Sequence, residues 1–256
     1  MAVKAQPKLF LYHFLASSAS RKVRFCLAEK GLAYDEHIID AVALEHLEDW
    51  YLKIHPEGVV PALLIDDRIF RESNLINEYL DLRFPDPPLR PDGAEERYEL
   101  QQWSRHMDEV VRRAFVKFNL MQFWRPVASL WSDEQLERTM AAVPTEERRE
   151  QMRRAAREPY SDTELAQSLA LGRAMAGDIE NRLAGKDWLF GGRFGLGEIN
   201  ATPYVKRLSE LEPAALSPDL RPRLADWWGR ITSRAGYTAA QIVTAPPANI
   251  EMDGLC

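Results

Sequence analysis

Apolar positions in the first 84 residues alternate between strand-like and helix-like periods. Residues 8–13 (KLFLYH) form a short apolar run that predicts a buried strand. Small residues and hydroxyls follow at 15–20 (LASSAS), suited to capping a helix. Residues 21–30 then read as a helix stopped at Gly31, where glycine tolerates the left-handed conformation. Residues 34–39 predict a second strand and 44–54 a second helix. PALLI at 61–65 and RIF at 68–70, separated by Asp66-Asp67, predict a hairpin with a tight acidic turn. Residues 72–84 read as a helix with Leu75, Ile76, Tyr79 and Leu80 on its apolar face. The order β-α-β-α-β-β-α predicts a small mixed sheet covered by helices.

The pattern then changes. PDPPLRP at 85–91 cannot continue a helix and reads as a semi-rigid linker. Beyond residue 94 strand alternation is lost, and the chain reads as helices. Residues 145–158 set five arginines against four glutamates, which predicts a solvated helix face held by pairs three or four apart. The expected organisation is a domain at 1–84, a linker at 85–93, an all-helical domain at 94–243 and a tail at 244–256. No repeat of 20–50 residues is visible.

Composition narrows the classes. The 256 residues are 46% hydrophobic with a net charge of −6, so no global attraction draws the chain to nucleic acid or anionic membranes. No run reaches the 18 or more apolar residues of a membrane span, and the first residues lack a signal-peptide pattern. Two cysteines, Cys26 and Cys256, give neither a disulfide framework nor metal-ligand spacing. A soluble cytoplasmic protein without a metal is expected.

Four motifs, in this order, resemble the glutathione S-transferases. They are a strand followed by Ser17-Ser18-Ala19-Ser20 and a helix with Val23-Arg24; residues 46–50 (HLEDW) leading to 54–61 (IHPEGVVP); Arg71-Glu72-Ser73 opening a helix that runs to Glu78-Tyr79-Leu80; and 194–199 (FGLGEI) in the helical half. The resemblance covers nearly the whole chain. It implies an α+β/α architecture: a thioredoxin-like N-terminal domain plus an all-α C-terminal domain, assembled as a homodimer or as a heterodimer with a related chain. The chain departs from the family at Gly195, where a serine usually caps the helix, at Glu198 for aspartate, at His55 for asparagine and at Val59 for a polar residue. Glycine caps nearly as well as serine, so the helix should survive. The His46-x-x-x-Trp50 spacing and the stretch from Trp131 to Pro159 are similar to bacterial enzymes that cleave aryl ethers of lignin fragments. The serine cluster and residues 43–45 are also similar to maleylacetoacetate isomerases and chlorohydroquinone dehalogenases.

The resemblance implies glutathione as co-substrate. Its thiol must ionise to attack, and a hydroxyl donor beside a helix N-terminus lowers a thiol pKa. Ser17, Ser18 and Ser20 stand there; the isomerase-like alignment places Ser17 or Ser18 on the sulfur, and the etherase-like alignment, which is favoured, places Ser20. Tyr12 and Cys26 read as core. Glu72 and Ser73 are implied at the γ-glutamyl end, the backbone of Val60 before a cis Pro61 at the cysteinyl part, and His46 or Lys53 at the glycine carboxylate. Phe14, Leu15, Phe115, Phe118 and Trp124 are candidates for an aromatic-lined substrate wall. The leading expectation is displacement of a phenol from a β-aryl ether by the glutathione thiolate. Isomerase, dehalogenase and a non-catalytic dimer subunit are the alternatives.

Overall fold

Residues 7–242 are described by the computed structural model, and the tail expected at 244–256 lies outside them. The sheet half comprises β1 (Leu9–His13), α1 (Ser18–Glu29), β2 (Asp35–Ile38), α2 (Asp49–Ile54), β3 (Ala62–Ile65), β4 (Arg68–Phe70) and α3 (Ser73–Arg83). The strand order is β2-β1-β3-β4, with β2 parallel to β1 and the other pairs antiparallel. Leu9, Leu11 and His13 of β1 are buried, whereas Phe10 and Tyr12 are half-buried on the opposite face.

Local chemistry moved several boundaries. Helix α1 starts at Ser18 rather than 21, because the Ser17 Oγ accepts the Ser20 N–H at 3.3 Å. The helix expected at 44–54 is split: Leu44 sits at φ +61°, a 3₁₀ turn covers Glu45–Leu47, and α2 starts only at Asp49. On α3 the buried stripe is Ser73, Ile76, Asn77 and Leu80; Leu75, expected in the core, is 63% exposed.

The linker is clamped rather than free. The buried Lys30 ammonium donates to Asp81 Oδ1 at 2.5 Å and to the carbonyls of Phe84 and Pro87. Asp81 also accepts from Arg90 and from the Leu89 N–H. Burial opposes the charge on Asp81, yet these donors hold its carboxyl below the usual range.

The helical half begins with one continuous rod: α4 (Ala94–His106), α5 (Arg112–Asn119) and α6 (Arg125–Ala128), joined by π turns at Met107–Val111 and Leu120–Trp124. Then follow α7 (Asp133–Ala142), α8 (Glu146–Arg157), α9 (Asp162–Arg182), α10 (Leu196–Leu211), α11 (Pro222–Thr232) and α12 (Ala235–Ala239). A single core runs from Leu11 and Phe25 through Ile76 to Phe115, Tyr204 and Trp227, so the halves share one interior. A second, small core of Leu136, Met140, Val143, Met152 and Ala156 holds α7 against α8. The arginines of α8 mostly bond across helices, Arg153 to Glu137, Arg154 to Glu164 and Arg157 to Asp133, rather than one turn away as expected.

The departures at the start of α10 compensate one another. A Cβ at Gly195 would lie 2.3 Å from the Leu89 carbonyl oxygen, so serine cannot fit against the linker. The longer Glu198 carboxylate, fully buried, accepts the Gly195 N–H at 3.0 Å and the Leu189 N–H at 2.6 Å. Among the described residues no helix is long and apolar enough to cross a membrane.

Candidate active site

The N-terminus of α1 carries no acidic residue in its first turn, so its roughly half-unit of positive charge is not offset there. Ser17 and Ser18 are half-buried at that end. The Ser17 oxygen takes the Ser20 N–H as a helix cap, which leaves its own proton to donate outward. Ser20 differs. It is fully buried, and its Oγ accepts the Phe14 N–H at 3.3 Å, bracing the loop after β1. Arg24 braces the same loop, donating to the carbonyls of Leu15 at 3.0 Å and Phe14 at 3.4 Å and to Ala240 and Gln241 at the other end. Tyr12 packs among Phe10, Trp50 and Tyr51. Cys26 is fully buried, and burial pushes its thiol pKa up.

A second helix N-terminus stands at α3. Glu72 has φ +65° and ψ 105°, a sparsely populated conformation that costs about 1–3 kcal/mol and concentrates at functional sites. Its side chain does not cap the helix, so the first-turn N–H groups stay open to an anion. Partial burial, with Glu57 and Asp108 nearby, raises the Glu72 pKa against the pull of Arg112 and Lys22. Ser73 beside it is buried. Beneath them Lys22, fully buried, donates to Asp108 at 2.5 Å and to Asn74 at 3.3 Å, while Tyr204 donates to Asp108 at 3.1 Å; this cluster joins α1, α3, the long helix and α10.

The segment before β3 is held by side chains on its carbonyls. Tyr51 donates to Val59, Arg71 to Ile54, and Arg148 of α8 to Glu57 and Gly58. Gly58 has φ +56°, and a Cβ there would lie 2.9 Å from the His46 carbonyl oxygen. The Val60–Pro61 bond is cis. No hydrogen bond to the Val60 N–H or C=O occurs among the described residues, so it offers the edge an extended peptide pairs with. His46 lies beside this segment. Burial, aided by Arg148, lowers its pKa to about 4, so the ring is neutral near pH 7, and its buried Nδ1 has no hydrogen-bond partner among the described residues. Lys53 is exposed on the last turn of α2. Arg148 was not anticipated as a site residue; its place in an arginine-rich run gave no signal that it would reach another helix's loop.

Between the halves, Ser18, Arg21, Asn119, Phe123, Arg207 and Glu210 line a narrow crevice of about 10 Å³, room for a single water. Phe14 and Leu15 are half-buried just before it, and Phe118 is half-buried on α5. Two wall candidates lie elsewhere. Phe115, 2% exposed, is core and stacks on Tyr204 at 6.2 Å. Trp124 donates its indole N–H to Met152 and packs edge-on against Trp131, anchoring α8. A larger, open hollow of about 570 Å³ lies at the opposite end of α1, beside Glu29 and Arg234, away from the serines.

The family description "Glutathione S-transferase, N-terminal domain" matches residues 11–88, and "Glutathione S-transferase, C-terminal domain" matches 139–235. Protein LigF of Sphingobium sp. (strain NBRC 103272 / SYK-6) is 29% identical over 234 residues, 88% of this chain and 90% of LigF. The crystal structure of beta-etherase LigF from that strain superposes with a TM-score of 0.84 at 28% identity, covering 91% of this chain and 98% of the other. Glutathione S-transferase Z1 of Arabidopsis thaliana is 37% identical over 97 residues, 38% of this chain and 44% of Z1. A glutathione-bound theta-class enzyme from Xanthomonas axonopodis pv. citri shares the fold, with a TM-score of 0.68 at 23% identity, covering 94% of this chain and 99% of that one. The serine-bearing start of α1, the open first turn of α3 and the free Val60 edge fit the peptide glutathione as co-substrate. The chain belongs to the glutathione S-transferase family.

Proposed function

We propose that this transferase cleaves β-aryl ether bonds in lignin-derived aromatics, the glutathione thiolate displacing a phenol. The observation that carries the reading is the likeness to LigF over both halves, at a TM-score of 0.84. The match to Glutathione S-transferase Z1 extends over 38% of the chain, too little to span the helical half. Isomerisation and dehalogenation remain the alternatives on glutathione chemistry alone.

In the proposed mechanism Glu72 and the first turn of α3 hold the γ-glutamyl ammonium and carboxylate. Val60 pairs with the cysteinyl backbone. Near the glycine carboxylate, Arg148 supplies the positive charge that neutral His46 lacks, with Lys53 further out. Ser17 or Ser18 donates to the sulfur in place of Ser20, whose burial and bond to the Phe14 N–H support a bracing role for the loop that carries Phe14 and Leu15. The thiolate attacks the saturated carbon bearing the aryloxy group. The S–C bond forms, the C–O bond breaks, and the electron pair leaves on the aryl oxygen. Phenols ionise near pH 10, so the leaving group needs little help, and an adjacent ketone activates the carbon further.

The exposed Leu75 and Leu82, seven residues apart on α3, support a dimer that covers that stripe. To test the function, the protein is incubated with glutathione and a racemic β-aryl ether ketone. One phenol should appear per glutathione adduct, stopping near half conversion if one enantiomer fits. Consumption of maleylacetoacetate or a chlorinated hydroquinone without phenol release from the ether would replace this reading.

A further inference from the structure

Helix α8 carries five arginines, and four of them pair with carboxylates: Arg149 with Glu146, Arg153 with Glu137, Arg154 with Glu164 and Arg157 with Asp133. Arg148 is the exception. It forms no ion pair among the described residues; its guanidinium crosses to the sheet half and forks onto two successive backbone carbonyls, Glu57 at 2.5 Å and Gly58 at 3.2 Å. Burial lowers its pKa, and the Glu57 charge nearby opposes that. A second fastening lies beside the first. Helices α7 and α8 contribute nothing to the main core. Their own small core takes in Leu47, 7% exposed, from the 3₁₀ turn Glu45–Leu47 of the sheet half. Gly58 passes so close to this turn that a Cβ there would meet the Leu47 side chain and the His46 carbonyl oxygen, each at 2.9 Å. The loop at 57–59 is therefore fastened to α8 through Arg148 and Leu47, and to α2 through Tyr51, whose hydroxyl donates to the Val59 carbonyl at 2.7 Å. Val60 is the next residue, and its cis bond to Pro61 starts from this fastened loop.

We propose that the α7–α8 pair is part of the glutathione site, with Arg148 as a positioning residue: it fixes the loop that aims the Val60 edge, so that glutathione binding and the docking of α8 reinforce one another. The proposal rests on the pairing of the cysteinyl backbone with Val60. It gives Arg148 a role beyond its charge. Any cation could attract the glycine carboxylate, whereas holding two successive carbonyls at once needs the rigid fork of a guanidinium. Coupling between a ligand and a docked element is reciprocal, so what α8 does for glutathione affinity, glutathione must do for α8.

The test combines calorimetric titration of the full chain with amide hydrogen exchange, and needs no turnover. Saturating glutathione should slow exchange in α8 of the wild type. Arg148→Lys keeps the charge but cannot repeat the fork. It should remove most of that protection and raise the Kd about tenfold, within the ~5–150-fold usual for coupled sites. The rise should be the same for glutathione and for its glycine monoethyl ester, in which the glycine carboxylate is blocked. Leu47→Ala, which cuts the apolar fastening and changes no charge, should act in the same direction on both readouts. Exchange in α10, inside the main core, should stay as in the wild type, which excludes general unfolding. An α8 whose exchange ignores glutathione in the wild type, or an Arg148→Lys that binds glutathione as the wild type does, overturns the proposal. So does a loss confined to glutathione with the ester unaffected, which leaves Arg148 only its charge. Glutathione methylated on the cysteinyl amide nitrogen tests the reading beneath. Binding equal to that of glutathione removes the Val60 pairing itself; weak binding of this analogue with an unaffected Arg148→Lys removes the positioning role alone.

Discussion

The Ser17 hydroxyl caps a helix and is, with Ser18, one of two proposed donors to sulfur; for Ser17 the two roles separate by substitution. Glycine keeps most of the capping energy, losing only a few tenths of a kcal/mol, whereas alanine costs about 1 kcal/mol. Ser17→Gly should therefore remain folded yet raise the pKa of the bound thiol and cut turnover by roughly 10²–10³, as losing one catalytic donor does. Ser20→Ala should mainly lower stability; a larger turnover loss in Ser20→Ala would return the role to Ser20. The sequence favours Ser20 among the three serines at this helix end, whereas burial favours Ser17 or Ser18. Ranking depends on burial, which is set by where the loop at Phe14 folds back. Glu72 was legible as a carboxylate at a helix start, though its positive φ was not. Glutathione at 100 times its Kd should stabilise the wild type by about 2.7 kcal/mol, and Glu72→Ala should lose most of that shift in a thermal-melt comparison.

Among the elements, the start of α10 carries a pH dependence. Burial raises the Glu198 pKa from 4.5 to about 7 at the start of α10. Between those values the native state holds a proton that the unfolded chain has released, so this group's contribution to stability falls as pH rises from about 4.5 to 7 and is flat above. The size is about 3 kcal/mol. Burial lowers the pKa of His13 and His46, and these groups act in the opposite sense, so the informative quantity is a difference. From pH 5 to 8, Glu198→Gln should gain about 3 kcal/mol relative to wild type in denaturant titrations; a constant difference would contradict the assignment. At the linker, Asp81→Asn should cost about 3–5 kcal/mol, because it leaves the buried Lys30 ammonium without its counter-charge. The proline run announced a boundary in the sequence. Its clamping did not show, since Lys30 and Asp81 are far apart in the chain and each reads alone as a solvated charge.

At the scale of the molecule, local period and motif order sufficed to expect both halves, while the long-range facts stayed hidden. The cleft takes Ser18, Asn119, Phe123 and Arg207 from three separate elements, and no spacing rule brings them together. Phe115 and Trp124 looked equally suited to its wall, because the sequence marks an aromatic residue but not the direction it faces. The exposed stripe on α3 makes one assembly prediction. Leu82→Asp should shift the protein toward monomer in sedimentation equilibrium, and an unchanged mass would place any dimer contact elsewhere. The proposed cleavage requires that the thiolate attack the carbon bearing the aryloxy group. Its most direct test is a β-aryl ether labelled with ¹⁸O at the bridging oxygen, turned over with glutathione and read by mass spectrometry. The label should leave entirely in the phenol, with glutathione joined to the side-chain carbon. Label retained on the side chain, with glutathione joined to the ring, would contradict it.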